Sequence, residues 1–371
     1  MANMTFYQTA ILIALAIGFI PVMLIWARFD GLPHRRELLI AVMLCPLMLT
    51  ENALRAFELG PGWHFLVMLF YPLPALITSL LCLAITRLVL DMKKIAVNML
   101  LVPGAVAVLA SIPFWWFSAD YKSALLEQGA IGEVTQHGVL YGYMLLCQLA
   151  MLWQAFNVES RIREYTMGLS DQVVDTHLYR FSAGFKAFAS LVTLAFCGAV
   201  ITLLVALDLL PLQHWLIVLQ GCYYLLFVVL TLVLMEKRRY APSPLDYNKL
   251  HAPDYDESTL REALTRAEQA MLKHKAYKRI GLRLKDFARL ADVDPTVLAV
   301  ASRSLLKRNF RAFVYHYRLE YAKRILMRSN VRVSDVAKRL GFDSERFLSD
   351  LFVKYVHKMA KDGHKQEQDR L

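Results

Sequence analysis

Two kinds of hydrophobic pattern divide the chain. Up to about Arg239, apolar residues run in unbroken stretches joined by short polar connections, which predicts helices that are apolar all round. From about Leu260, apolar residues recur every three or four positions within polar sequence, which predicts amphipathic helices around a water-soluble core. The long stretches lie at 6–27, 37–57, 64–87, 95–117, 136–157, 185–208 and 212–235. Each is near the ~20 residues a helix needs to cross the hydrocarbon of a bilayer. The predicted fold class is all-α: a polytopic transmembrane bundle of about seven spans, then a soluble helical domain. The corresponding boundaries are 1–239 for the membrane part, 240–275 for a linker and amphipathic helix, and 276–371 for the soluble domain.

Composition agrees with this division. Hydrophobic residues make up 57% of the 371 positions, above the ~45–50% usual for soluble domains. Of the net charge of +11, all but one unit lies after residue 239. A basic soluble domain behind a nearly neutral membrane part points to a polyanion, either nucleic acid or lipid headgroups. Cys45, Cys82, Cys147, Cys197 and Cys222 all fall in apolar stretches without a CxxC pair, so they are expected to be small packing residues, not disulfides or metal ligands. No basic segment precedes the first apolar run and no small-residue cleavage site follows it, so residues 6–27 are expected to be a retained helix.

An odd number of spans puts the two ends of the bundle on opposite sides. Arg28, Arg35, Arg36, Arg87, Lys93, Lys94, Arg161, Arg163, Arg180, Lys186, Lys237, Arg238 and Arg239 fall in one alternate set of connections; the other set holds Lys122, with Arg55 near a span end. Positive loops stay cytoplasmic, which predicts an outside N-terminus and a cytoplasmic soluble domain. Trp63, Trp115, Trp116 and Trp215 then fall at outer span ends, and Trp26 and Trp153 at inner ends, where amphipathic rings prefer to sit. Glu51, Arg55, His64, His137, Asp208 and His214 all map to outer ends. Ionisable groups at that depth face a partner or a wet cavity, so these six are the candidate sensing residues for an outward-opening ligand pocket. The plainer reading is interfacial residues reached by water, with Glu51 and Arg55 neutralising each other at i,i+4. Tyr71-Pro72-Leu73-Pro74 is expected to break or kink the third span.

Past the bundle, Pro242, Pro244 and Pro253 mark a linker. Leu260, Ala263, Leu264, Ala267 and Met271 then form the stripe of a helix near 258–275, with Ser258 or Thr259 as N-cap; the stripe packs on the following domain or pairs with a second copy. From Leu284 a unit appears and recurs about 50 residues later. Leu284, Phe287, Ala288 and Val293 precede Asp294-Pro295 and a helix bearing Leu298. Val333, Val336, Ala337, Leu340 and Phe342 precede Ser344 and a helix bearing Leu348 and Phe352. In each copy a small residue lets two helix backbones approach, and Gly341 supplies a left-handed turn: this is helix-turn-helix spacing. Phe310, Phe313, Val314, Tyr317, Tyr321, Ala322, Ile325 and Leu326 predict a long helix joining the copies.

Residues 284–365 resemble the AraC family of bacterial transcription regulators. The matching positions are Phe310-x-x-Phe313-Val314, Arg318-Leu319-x-x-Ala322-x-x-Ile325-Leu326, Val336-Ala337-x-x-x-Gly341-Phe342-x-Ser344 and Leu348-x-x-x-Phe352. The resemblance implies two recognition helices, at 295–306 and 344–356, entering successive major grooves of double-stranded DNA. Candidate DNA-binding residues are Thr296, Ser302, Arg303, Glu345, Arg346 and Ser349 for bases, and Lys307, Arg308, Arg311, Lys338, Arg339 and Lys354 for phosphates, alongside Arg303 and Arg346. The chain departs from the family pattern at Val300 and Asp350, where arginine is frequent, and at Ser302, where an aromatic is usual. Lys307 and His357 stand at the usual post-helix glycines and Ala360 at the usual proline. These departures imply either an unusual sequence preference or weakened DNA binding.

The combined expectation is a one-component regulator in a bacterial cytoplasmic membrane: a bundle that senses a signal ligand and a tethered domain that binds promoter DNA. A homodimer is compatible with the linker helix, which is the expected coupling element. Two alternatives stay open: a transporter-like or receptor bundle whose basic domain docks on lipid or protein, and a decayed regulator whose altered domain binds protein. No HExxH, GxSxG, phosphate-binding glycine loop or spaced carboxylate pair points to an enzyme, and no cofactor or metal is expected.

Overall fold

A computed structural model describes residues 5–27, 35–89, 99–127, 133–210, 212–235, 255–328, 332–342, 348–350 and 353. The described residues are all-α, without strands; a single isolated bridge joins Val173 and Arg283. The chain divides into two compact units: Met1–Glu164 with Phe181–Lys237, and Tyr165–Arg180 with Arg238–Leu371.

The first unit holds the apolar helices. They are α1 (Phe6–Ala27), α2 (Arg35–Leu44), α3 (Thr50–Ala56), α4 (Leu73–Val89), α5 (Val102–Ala110), α6 (Ile112–Trp115), α7 (Ala119–Glu127), α8 (Val134–Gln172), α9 (Ser182–Ala206) and α10 (Leu212–Met235). A 3-10 turn at Cys45–Leu49, opened by Pro46, joins α2 to α3 into one apolar rod. Among the described residues five helices are long and apolar enough to cross a membrane by length and composition, and six if the rod from Met99 to Trp115 and α7, bent by 113°, count together. The third expected span is the exception. Residues 61–66 form a 3-10 helix, Met68 takes a left-handed φ of 62°, and the α-helix starts only at Leu73. Pro72 and Pro74 carry no N–H for a preceding turn, so the helix begins only at Leu73, and its described part, to Val89, is 17 residues long.

Small and amide side chains fix how these helices cross. A Cβ at Gly104 on α5 would clash with Ser79 and stand 3.0 Å from Leu76 Cα, so only glycine lets α5 approach α4 this closely. Gln154 Nε2 donates to Ser79 Oγ (2.6 Å) and to the Leu100 carbonyl (3.1 Å), tying α8 to α4 and to the start of the α5 rod. All six tryptophans are exposed, as are Phe19, Met23, Leu203, Val218 and Val229. Cys45, Cys82 and Cys147 are buried, whereas Cys197 and Cys222 are exposed, so packing explains only three of the five cysteines.

α8 runs 39 residues, about 58 Å at 1.5 Å per residue, roughly twice the hydrocarbon thickness. Its sequence turns polar after Phe156, and its last turns, from Tyr165, belong to the second unit.

The second unit contains α11 (Glu257–Lys273), α12 (Leu284–Ala291), α13 (Pro295–Leu306), α14 (Phe310–Arg328) and α15 (Val333–Leu340). The apolar stripe of α11 packs within this unit: Ala267, Ala270 and Met271 join the core with Leu284, Phe287, Leu298, Phe313 and Val314. The α11 N-cap is Asp256, not Ser258 or Thr259. The repeat expected from sequence is visible in the backbone. Val293 N–H donates to the Ala288 carbonyl at 3.0 Å and Phe342 N–H to the Ala337 carbonyl at 3.0 Å, with Asp292 (φ 54°) and Gly341 (φ 71°) left-handed at the two helix ends. Buried Ala288 and Ala337 occupy the same place in each copy.

Candidate DNA-binding and signal-sensing sites

The first helix-turn-helix is α12, the turn at Asp292–Asp294 and α13. Asp294 caps α13 by accepting the N–H groups of Thr296 (2.8 Å) and Val297 (3.2 Å), and Pro295 presets the first helical φ. Leu298, Ala299, Ala301 and Ser302 are buried and Val300 packs half-buried against the domain core, which leaves Thr296, Arg303 and Ser304 toward the open side of the helix. Seven residues are close to two turns, so Thr296 and Arg303 share a face.

Ser302, expected among the base-readers, is instead buried: its hydroxyl donates to the Arg308 carbonyl at 2.8 Å and closes the end of α13. A serine can replace the usual core aromatic because that carbonyl gives its hydroxyl a partner. Lys307 is exposed and left-handed (φ 52°), so it stands in a glycine conformation as well as at a glycine position of the family pattern. Arg308 is half-buried. Arg311 donates to Tyr315 Oη (3.2 Å), with its guanidinium 5.0 Å from that ring's centre. Burial pushes the Tyr315 phenol up, and the Arg311 hydrogen bond partly offsets this. Lys338 and Arg339 are exposed on α15. Of the second recognition helix, Leu348 is buried while Ser349, Asp350 and Val353 are exposed; Glu345, Arg346 and Lys354 lie outside the described residues.

Arg303 is not open. Its Nη2 donates to Asp171 Oδ2 at 2.6 Å, and Asp171 sits at the end of α8. The chain after it, up to Arg180, is built into the second unit. Val174 is fully buried in the domain core and its N–H donates to the Leu282 carbonyl at 3.1 Å. Asp175 accepts the Gly281 N–H at 2.6 Å and makes a two-pronged pair with Arg318, Nη1 to Oδ1 at 2.5 Å and Nη2 to Oδ2 at 3.0 Å. Both side chains have zero exposure. Arg318 further donates from Nε to the Tyr277 carbonyl and from Nη2 to the Arg279 carbonyl, each at 2.9 Å. Tyr179 Oη donates to the Gly281 carbonyl at 2.9 Å. None of the residues 171–179 is marked by a local sequence pattern.

In the first unit the expected sensing residues gather in three places. Glu51 is buried, accepting the Met68 N–H at 2.7 Å and a bond from Gln220, with the charge of Arg55 acting on it and on Tyr7. His64 is buried, with Nδ1 2.7 Å from Ser123 Oγ, and His137 Nδ1 is 2.9 Å from Tyr121 Oη, so both histidines meet α7. Asp208 is exposed in a left-handed turn (φ 61°) whose charge reaches Tyr141, and Tyr141 packs on His137. The His214 side chain lies outside the described residues. Beside Glu51, a narrow cavity with room for about one water is lined by Tyr71, Gln148, Gln220 and Tyr223 among apolar residues. Tyr223 Oη donates to Gln148 Oε1 (2.6 Å), Gln148 Nε2 donates to Tyr71 Oη (3.3 Å), and Gln220 Oε1 is buried without a partner. Counting uncharged amides in apolar stretches, and not only ionisable groups, would have found Gln148 and Gln220. Among the described residues no group of three or more His, Cys, Asp or Glu is placed to hold a metal.

Residues 287–362 match the family model described as a helix-turn-helix domain, which is of the AraC type. The match supports DNA binding and transcription regulation by this part of the chain. No curated protein and no solved structure matches the chain.

Proposed function

We propose that the protein is a one-component transcription regulator embedded in the bacterial cytoplasmic membrane, with its N-terminus outside and its helix-turn-helix domain in the cytoplasm. The observation that carries this reading is the presence in one chain of a helix-turn-helix domain and five or six helices apolar and long enough to span a bilayer. The orientation counts the short helix α4 as a seventh span alongside the bent pair; loop charge then supports it, since thirteen Lys and Arg fall in one alternate set of connections. The bundle is the sensor. Glu51 and the Tyr71, Gln148, Gln220 and Tyr223 cavity are its candidate ligand site, because buried polar groups with an unmet acceptor favour a small hydrogen-bond donor. The domain binds promoter DNA through α13 and the region 344–356, and a second copy of the chain on a paired half-site is part of the reading.

The test is capture of DNA crosslinked to the full-length protein in cells, followed by binding of the recovered fragments to the protein in nanodiscs. Enrichment of discrete promoter fragments, with affinity falling steeply as salt rises, is expected. Recovery of no DNA above a membrane-protein control would refute the reading.

A further inference from the structure

We propose that residues 165–180 form an intramolecular strap that couples the membrane spans to DNA binding, with Asp171 competing against DNA for Arg303. The proposal rests on the DNA-binding reading above and adds a mechanism of regulation to it.

Chain connectivity comes first. The segment joins α8 to α9, two helices long and apolar enough to span a membrane, yet it is packed into the second unit. A surface loop that merely touched that domain would bury little. This one contributes a fully buried valine to the core, a backbone bridge from Val173 to Arg283, and the carboxylate that neutralises fully buried Arg318. It is anchored at Asp175, and the anchor fixes where Asp171 stands.

Charge comes second. Arg303 shares the open face of α13 with Thr296, the face a recognition helix turns toward DNA. An arginine there binds a phosphate or a guanine edge with its N–H groups. Asp171 already takes one of them at 2.6 Å, and the Asp171 side chain is only 14% exposed, so the pair is partly shielded from solvent and salt. A carboxylate at that position also repels phosphate. With Asp171 docked, the first reading head is partly neutralised; with it withdrawn, Arg303 is free to contact DNA. Since Asp171 ends α8 and the strap leads into α9, a displacement of either helix acts on this pair without passing through the linker at 236–256.

The experiment is a double-mutant cycle on the full-length protein in nanodiscs, with binding to a captured DNA fragment measured over a range of salt. Asp171→Asn, which keeps the shape of the side chain, is expected to tighten binding roughly tenfold and to steepen the salt dependence by about one phosphate contact. Asp171→Ser serves as a second variant of the same sign. Arg303→Ala is expected to weaken binding in both backgrounds, by roughly tenfold more in the Asp171→Asn background than in the wild-type one. If Asp171→Asn has no effect, or has the same effect with and without Arg303, the strap does not act through this pair and the proposal is overturned while the DNA reading stands. If no variant binds DNA even at low salt, both are overturned.

Discussion

Replacing Asp175 by alanine is expected to destabilise the helix-turn-helix domain strongly while leaving the apolar helices of the first unit in place. In the intact protein Arg318 has zero exposure and Asp175 supplies two of its acceptors, as well as the acceptor of the Gly281 N–H. Without the carboxylate, a guanidinium stays in the core with only the Tyr277 and Arg279 carbonyls. Removing one partner of a buried ion pair destabilises by about 3–5 kcal/mol, a large part of the ~5–15 kcal/mol that holds a typical domain folded. The readout is hydrogen exchange of the full-length protein in nanodiscs, following amides in α12 to α14. Where exchange proceeds through opening of the whole domain, protection falls by roughly 10²–10⁴-fold. Asp175→Leu combined with Arg318→Met should recover most of the loss, because two apolar side chains leave no stranded charge. The same reasoning applies to residues 255–371 made alone, which lack Asp175; fusing Tyr165–Arg180 to that fragment should restore its stability. Unchanged protection in Asp175→Ala, or a fragment that is as stable without the strap as with it, would refute the argument.

Lys307 holds a left-handed conformation without being glycine (φ 52°), so Lys307→Gly should stabilise the domain by about 0.5–1 kcal/mol in chemical denaturation. Gly341→Ala should act in the opposite sense by about 1–2 kcal/mol, because φ is 71° and the new Cβ would stand 3.1 Å from Ile280 Cγ1. Burial pushes the Tyr317 phenol up to about 12, above its unfolded value near ~10, so the protonated form is favoured by folding. Its contribution is fully present below about pH 10 and is lost as pH rises toward about 12, so alkaline titration should unfold the second unit sooner than Tyr317→Phe does. In the bundle, Gln148→Leu removes the bonds to Tyr71 and Tyr223 and should lower thermal stability in detergent by about 1 kcal/mol; a stability equal to wild type would mean these bonds are exchanged without loss for others.

The features legible in the sequence are those with a local period. Leu284, Phe287 and Ala288 sit three and four apart, and their counterparts Val333, Val336 and Ala337 repeat the spacing, so both helix-turn-helix copies could be read before any packing was known. The apolar stretches were legible for the same reason. Their ends were less so, since Pro72 and Pro74 shorten the third helix and the polar half of α8 continues to Gln172. The burial of Ser302 is not legible in the sequence, because it depends on the path of the chain at Arg308, which composition does not record. Arg318 was visible as a motif residue, but its partner lies 143 positions earlier in a connection with no pattern of its own. Of the candidate sensing residues, Glu51, His64 and His137 have buried or paired side chains; the amides beside Glu51 are hardly legible in the sequence, because a lone glutamine in an apolar run carries little signal.

The pairing of Asp175 with Arg318 also bears on how the protein is made. Asp175 leaves the ribosome long before Arg318, and on the proposed membrane topology α8 and α9 have by then been delivered to the insertion machinery. On that topology, a chain that threads these helices the wrong way round leaves residues 165–180 on the far side of the bilayer from the C-terminal domain. That domain then lacks part of its core and cannot mature. On the proposed topology, correct insertion would thereby be a precondition for the reader to fold, and a mis-inserted copy would be left as a substrate for proteolysis.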